Sequence, residues 1–240
     1  MTLTEDRFLN GGVIVRQSAS GFRSGLDAVM LAAAVPAGEG DDVLELGAGC
    51  GTASLCLAHR VPGCSIAGVE IDPETAALAK ENAAKNKFNA RIRIVCGDVF
   101  DLPAELKSDF AHVFCNPPFH SEHGQVSPVA ARDRALRDTG HLGDWMEAGL
   151  KRNVSGGTFT TILRANRMAE ALARLPERGV TIFPLWPRAG ESAKRVILQA
   201  RKGSRAENVL APGLVLHEAD GHYTQEADAV LRDGAALPLI

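Results

Sequence analysis

Asp42-Val43-Leu44-Glu45-Leu46-Gly47-Ala48-Gly49-Cys50-Gly51 is the stretch from which the fold is read. Its first five residues form a short, mostly apolar run of strand length, and three glycines at alternate positions then open a helix from Thr52 to His59. Glycine permits the tight turn and lets a ligand approach backbone N–H groups at the helix start. It equally serves close helix-to-strand packing, so the loop alone leaves both uses open. The spacing is G-x-G-x-G, whereas the dinucleotide fingerprint sets its third glycine one residue later. Glu45 just ahead of the loop is poorly placed to receive a pyrophosphate, so a phosphate-free or cationic ligand fits better.

Reading outward toward the C-terminus, Ser65 to Ile71 is a second apolar strand ending at Glu70, nineteen residues beyond Gly51. That is the usual distance from a glycine loop to an acid that holds two ribose hydroxyls. Asp72 caps a helix from Thr75 to Lys87, with Pro73 in the first turn. Arg91 to Cys96 alternates as a third strand and runs into Gly97-Asp98-Val99. Asp98 suits an adenine amino group, and Gly-Asp is just as often an ordinary loop pair. Asp109 to Phe114 reads as a fourth strand, and Cys115-Asn116-Pro117-Pro118-Phe119-His120 emerges from its end. Asn-Pro is a common turn start. Here two prolines also forbid regular continuation, leaving a carboxamide, bare carbonyls and an aromatic ring on a stiff turn. Such a set matches a planar group with an exocyclic amine, offering acceptors for its two protons and a ring face for stacking.

Four strands thus end in turn at Gly47, Glu70, Asp98 and Asn116. In a doubly wound parallel sheet the first and fourth are neighbours across the point where strand order reverses, and ligands sit outside the carboxyl ends there. The expected fold is α/β, a seven-stranded, mostly parallel, Rossmann-like sheet with an antiparallel edge strand. Gly156 to Leu163 supplies the fifth strand, Arg167 to Leu175 a helix, and Val180 to Leu185 with Arg195 to Gln199 the closing pair. Ahead of the core, Gly11 to Gln17 reads as a strand, Ser18 to Gly25 as a polar turn, and Leu26 to Val35 as a helix stopped by Pro36. Behind it, Leu214-Val215-Leu216 reads as a strand, Asp220-Gly221 as a turn and Thr224 to Leu231 as a helix.

The 240 residues are 45% apolar, with mean hydropathy near zero and a net charge of −3. This composition belongs to a well-cored soluble protein, expected in the cytoplasm, with neither a signal peptide nor a membrane-spanning run. The five scattered cysteines lack metal or disulfide spacing, so no metal site is expected and the thiols read as small hydrophobes.

Glu45-Leu46-Gly47-Ala48-Gly49-Cys50-Gly51, Val69-Glu70-Ile71-Asp72, Gly97-Asp98 and Asn116-Pro117-Pro118-Phe119 resemble, in order and spacing, the class I S-adenosylmethionine-dependent methyltransferases that modify planar amines. Arg7-Phe8-Leu9, Gly21 to Asp27, and Ser127-Pro128 to Arg132 with Ala135 are similar to one branch, the bacterial tRNA(Val) adenine-N6 methyltransferases. The chain departs from that branch at Leu26, where Thr or Ser is more usual, which leaves Gly25 and Asp27 as the residues carried over. The resemblance implies S-adenosyl-L-methionine as cofactor. Gly47, Ala48, Gly49 and Gly51 would meet its methionine part, Glu70 and Ile71 its ribose side, and Asp98 with Val99 its adenine. Glu45 and Asp27 would favour the cationic end. Asn116 and Pro117 would accept the target amine's protons, with Pro118 stiffening the turn and Phe119 stacking on the base.

A base in a duplex cannot enter such a pocket, so a loop or flipped nucleotide of RNA is the expected partner, tRNA being the one that the resemblance implies. Arg132 follows the Asn-Pro-Pro-Phe turn, with Arg134 and Arg137 close behind and acids interleaved; a solvated helix face is the alternative. Arg188, Lys194, Arg195, Arg201, Lys202 and Arg205 stand against Glu191 alone, whereas residues 206–240 hold six acids against Arg232. That asymmetry suggests a phosphate-binding rim. Trp186 between two prolines is a rigid support or a stacking residue. The expected organisation is one methyltransferase domain over 1–240: a hairpin and helix lead-in at 1–37, a catalytic core at 38–205 and a packed extension at 206–240. Competing readings are a ribosomal-RNA guanine-N2 methyltransferase, a protein-glutamine N5 methyltransferase, a dehydrogenase disfavoured by the glycine spacing, and a silent cofactor-binding module.

Overall fold

In the computed structural model, residues 2–20, 23–118, 142–237 and 239 are described. Phe119, Arg132, Arg134 and Arg137 lie outside them. The strands are β1 (Leu3–Phe8), β2 (Val13–Ser18), β3 (Asp42–Leu46), β4 (Ser65–Glu70), β5 (Ile92–Cys96), β6 (Phe110–Cys115), β7 (Asn153–Arg164), β8 (Val180–Trp186), β9 (Arg195–Arg201), β10 (Val209–Leu210) and β11 (Leu214–Val215). The described helices are α1 (Leu26–Ala34), α2 (Thr52–Arg60), α3 (Pro73–Lys85), α4 (Leu142–Lys151), α5 (Met168–Leu172) and α6 (Gln225–Asp233). None of these helices is long and apolar enough to cross a membrane.

Strands β1 and β2 form an antiparallel hairpin, and the main sheet runs β10-β8-β9-β7-β6-β3-β4-β5 with β11 also on β8. Chain order reverses between β3 and β6: β4 and β5 lie to one side of β3, β6 and β7 to the other. All seven expected core strands are present, but the antiparallel one is not outermost. Strand β9 returns between β7 and β8, antiparallel to both, and the short parallel strands β10 and β11 cover the far edge of β8. Their pairing breaks at Ala211-Pro212-Gly213. Gly213 is left-handed, and an added Cβ would meet the Pro184 carbonyl. Pro184 has no N–H to offer a continuous partner strand at that point.

Among the element bounds that differ from the sequence expectation, three have clear local reasons. Strand β7 begins at Asn153 because a register shift beside Phe110, at the left-handed Gly156 and crowded Gly157, lets pairing resume further along. Helix α5 is short: its last turns tighten to i→i+3 bonds at Arg174 and Leu175, ahead of Pro176. Helix α3 starts at Pro73 because Asp72 is the N-cap, accepting from the Thr75 N–H at 3.0 Å, and it ends before the left-handed Lys87.

The pleat sorts side chains to two cores. Val43, Phe114, Ile162 and Ile197 pack with α1 and α2, whereas Leu44, Leu46, Val113, Phe159 and Leu198 pack with α4. Helix α4 meets this second face closely, for a Cβ added at Gly149 would overlap the Phe159 ring. The fully buried ring has no space to retreat. Gly149→Ala is therefore expected to lower stability by about 1–3 kcal/mol, despite a gain in helix propensity of roughly 1 kcal/mol. Urea denaturation checks this, and a raised midpoint at unchanged slope would contradict it.

Candidate active site

The strand ends are level. Leu46 lies opposite Val69 of β4 and Cys115 of β6, and Glu70 lies opposite Cys96 of β5. With strands spaced about 4.8 Å apart, Gly47, Glu70, Gly97 and Asn116 issue from one edge, Glu70 and Asn116 being separated by roughly 10 Å of sheet.

Gly47, Gly49 and Gly51 all have left-handed backbone, with φ of 71°, 56° and 85°. A side chain would be strained at each, and at Gly47 it would also press on the Trp145 ring at 2.9 Å. Over Gly49 there is open space. The Glu70 carboxylate braces this loop: Oε2 accepts from the Gly49 N–H at 2.9 Å and Oε1 from the Asp72 N–H at 3.0 Å. Each oxygen keeps a second acceptor site for a hydroxyl. On the neighbouring strand the Gly97 N–H donates to the Glu70 carbonyl at 2.9 Å. Asp98 closes a local turn by accepting from the Phe100 N–H, also at 2.9 Å.

Trp145 and Phe100 were not among the residues picked out from sequence. They meet edge-on, ring centroids 5.7 Å apart and planes at 81°, and form an aromatic wall beside Gly47 and the Asp98 turn. Their only linear signal is weak: Trp145 lies on the apolar face of the helix beginning at Leu142, and Phe100 follows Gly-Asp-Val.

Glu45 is 3% exposed and points from β3 toward α2, where the Ser54 N–H (3.2 Å) and hydroxyl both donate to its Oε2. Burial pushes its carboxyl up to about 8, with the Glu70 charge acting in the same direction and Ser54 opposing. At neutral pH it therefore holds a proton, and the negative charge expected from sequence is expressed only at higher pH or beside a cation. Asp27 likewise does not stand as a bare charge: Arg195 Nε donates to both of its carboxylate oxygens, at 2.9 and 3.2 Å, tying the start of α1 to the start of β9. Gly25 is the N-cap of α1 and is open to space.

Asn116 follows β6, and its Oδ1 is buried without a hydrogen-bond partner among the described residues. Unsatisfied buried acceptors cost about 1–3 kcal/mol and are rare in native proteins. Pro117 beside it is buried and Pro118 half-buried. The site's Ile71 and Val99 flank Glu70 and Asp98, half-buried and buried respectively.

The basic cluster read between residues 188 and 205 is divided by strand direction. Arg188, Lys194 and Arg195 sit at the end of the sheet that carries Asn116, where Arg195 also faces Arg164 across β7 and β9. Arg201 and Lys202 lie at the opposite end, bonded to the Gly156 and Asn153 carbonyls. The two groups are roughly 20 Å apart along β9. Trp186 acts as a support, its Nε1 donating to the Pro212 carbonyl at 3.0 Å.

Residues 23–143 match the methyltransferase small domain family. The chain is 29% identical over 214 residues to a protein of Shewanella sp. (strain MR-4) named tRNA1(Val) (adenine(37)-N6)-methyltransferase, spanning 86% of this chain and 89% of that one. A Haemophilus influenzae (strain 86-028NP) protein of the same name is 25% identical over 224 residues, spanning 91% and 94%. Among solved structures, that of a predicted O-methyltransferase from Agrobacterium tumefaciens superposes with a TM-score of 0.72 at 28% identity, covering 88% of this chain and 98% of that one.

The buried Glu45 carboxyl generates a pH dependence of stability. Its folded value of about 8 lies above the ordinary 4.5, so the folded state binds the proton more tightly. The stabilisation is complete below 4.5 and is lost as pH rises toward and through 8. Glu45→Gln, which cannot ionise, is expected to flatten the fall in Tm between pH 5 and pH 8 by a margin visible in thermal melts. Identical slopes for the two proteins would exclude this assignment.

Proposed function

The chain belongs to the methyltransferase small domain family, and from that premise we propose that it moves a methyl group from S-adenosylmethionine to the N6 amine of an adenine in tRNA. The observation that carries the proposal is the buried Asn116 Oδ1 beside the glycine loop, which has no hydrogen-bond partner among the described residues. An acceptor left empty at a cost to folding is accounted for if a substrate N–H fills it. The substrate class is supported by the names of the Shewanella and Haemophilus relatives, which align with most of the chain.

The residues around the loop suit this donor. Glu70 braces the loop and Asp98 turns at the end of the neighbouring strand, with the protonated Glu45 buried behind, a poor setting for a pyrophosphate and a good one for a ribose diol and an adenine amine. S-adenosylmethionine, when bound, supplies an electrophilic methyl carbon on a positively charged sulfur. Gly47, Gly49 and Gly51 would admit its methionine part against the backbone, in the open space over Gly49. The remaining acceptor sites of Glu70 would take the ribose hydroxyls. Asp98 would hold the adenine edge, with Ile71 and Val99 against its faces.

An aromatic amine is a poor nucleophile because its lone pair is delocalised into the ring. Asn116 Oδ1 and the Pro117 carbonyl would accept its two protons, which favours rehybridisation and stabilises the positive charge that grows on nitrogen. A hydroxyl acceptor, suggested by the name of the Agrobacterium structure, has one proton to place and matches two adjacent acceptors less well. Holding the nitrogen in line with the methyl carbon accounts for the rest of the acceleration. The surplus proton can leave after transfer, so no strong base is required of the chain.

Arg188 and Lys194, exposed at the Asn116 end of the sheet, would take backbone phosphates flanking the target nucleotide. Arg188 meets Glu191 at 3.4 Å in an exposed pair that solvent screens, whereas Arg195 is a less direct candidate because it is half-buried and engaged with Asp27.

Mass spectrometry of nucleosides from tRNA of cells with and without the protein tests the function: N6-methyladenosine should be lost in its absence, and an unchanged profile would sink the proposal. Asn116→Ala is expected to reduce turnover by at least roughly 10²-fold, on the scale of removing a charge-stabilising group, with S-adenosylhomocysteine affinity within a few-fold of wild type. Full turnover in that variant would remove the carboxamide from the mechanism. Replacing Arg188 and Lys194 by Gln should raise KM for tRNA and lower the salt slope of binding by about one for each phosphate no longer neutralised; an unaltered slope would place the RNA elsewhere.

A further inference from the structure

The β1–β2 hairpin is not hydrogen-bonded into the main sheet, yet its second strand is gripped as though by a partner strand. The grip comes from two side chains four residues apart, Asn82 on α3 and Asn86 at its C-cap. Asn86 Oδ1 accepts from the Ile14 N–H at 2.9 Å, while its Nδ2 donates to the Ile14 carbonyl at 2.6 Å. Asn82 repeats the pattern on Arg16, with 2.9 Å to the N–H and 2.8 Å to the carbonyl. The i, i+4 spacing sets both carboxamides on one face of the helix, and alternate residues of β2 expose their backbone groups to that face. Their remaining bonds differ. Asn86 Nδ2 donates to the Asn82 carbonyl within its own helix at 2.8 Å, whereas Asn82 Nδ2 donates to the Cys50 carbonyl of the glycine loop at 2.9 Å.

Cys50 lies between the left-handed Gly49 and Gly51, and its carbonyl shares a peptide plane with the Gly51 N–H, which donates to the Ala48 carbonyl at 2.9 Å and closes the turn, so a bond to that carbonyl fixes the turn's orientation. The loop is thereby held from two sides, by Glu70 at the Gly49 N–H and by Asn82 at the Cys50 carbonyl. Asn82 is completely buried, so water cannot replace a bond it loses. A second thread links the hairpin to the same loop: Gln17 Oε1 on β2 accepts from the Ser24 N–H at 2.9 Å and lies 3.9 Å from the Cys50 thiol.

We propose that Asn82 is a positioning residue for methyl-donor binding, coupling the docked hairpin to the glycine loop through the Cys50 carbonyl, whereas Asn86 only docks the hairpin. The inference rests on the proposed use of that loop for the donor. Asn82 touches no reacting atom, and its effect falls on donor affinity through the loop's geometry.

The two asparagines form a matched pair for a test. Each of Asn82→Ala and Asn86→Ala removes one carboxamide grip on β2, and both are expected to lower Tm. S-adenosylhomocysteine binding, measured by titration calorimetry on the full chain, is expected to weaken at least tenfold in Asn82→Ala and less than twofold in Asn86→Ala. Asn82→Ser and Asn86→Ser, whose short hydroxyl cannot replace both donor bonds, provide the same contrast should an alanine variant fail to fold. Unaltered affinity in the folded Asn82 variant, or equal losses in both, would overturn the coupling while leaving the function proposal in place. A wild-type protein that does not bind S-adenosylhomocysteine would overturn the donor reading, and this inference with it.

Discussion

The parallel register of β3 with β4 on one side and β6 on the other is the constraint on which the site depends. Because Leu46 lies level with both Val69 and Cys115, the glycine loop, Glu70 and the Asn116 turn leave the sheet at the same height. A one-residue slip of β6 would turn Asn116 to the opposite face and exchange Val113 and Cys115 with Phe114 across the two cores. Burial prevents this slip, since all three are fully enclosed. The apolar packing that stabilises the sheet is therefore also what aims the polar groups at its edge.

Polar restraint is concentrated around the loop, where the backbone is least regular. Three alternate left-handed glycines form a flexible segment unless something holds it, and here Glu70 and Asn82 hold its N–H and carbonyl sides. Trp145 limits motion at Gly47, and Ala79 lies under Gly51. These braces come from β4, α3 and α4, so the loop's shape reports the assembly of those three elements together. Preorganisation of this kind lowers the ordering cost of binding.

The charges at this end of the molecule are mostly committed. Glu45 is held protonated at neutral pH by burial, Asp27 is paired with Arg195, and Glu70 is engaged by two backbone N–H groups. Asn116 Oδ1 stands apart as an enclosed acceptor without a partner among the described residues. An exposed acceptor could be satisfied by water, whereas an enclosed one carries a desolvation cost, which at Asn116 the proposed substrate N–H would relieve.

Much of this was legible in the linear chain because short-range signals carried it. Alternating and continuous apolar runs marked the seven core strands, the Asp72-Pro73 pair marked the start of α3, and glycine spacing marked the left-handed loop that Glu70 braces. Those features depend on pleat, caps and backbone sterics, which neighbouring residues settle among themselves. The place of β9 inside the sheet, the division of the basic cluster between opposite ends, the Phe100–Trp145 wall, the Asp27–Arg195 pair and the Asn82 grip on Cys50 were settled only by tertiary structure. Each joins residues from separate segments, 168 positions apart for Asp27 and Arg195 and 32 for Asn82 and Cys50. Contacts over such separations follow from strand order and helix packing, which a one-dimensional pattern of polarity does not encode.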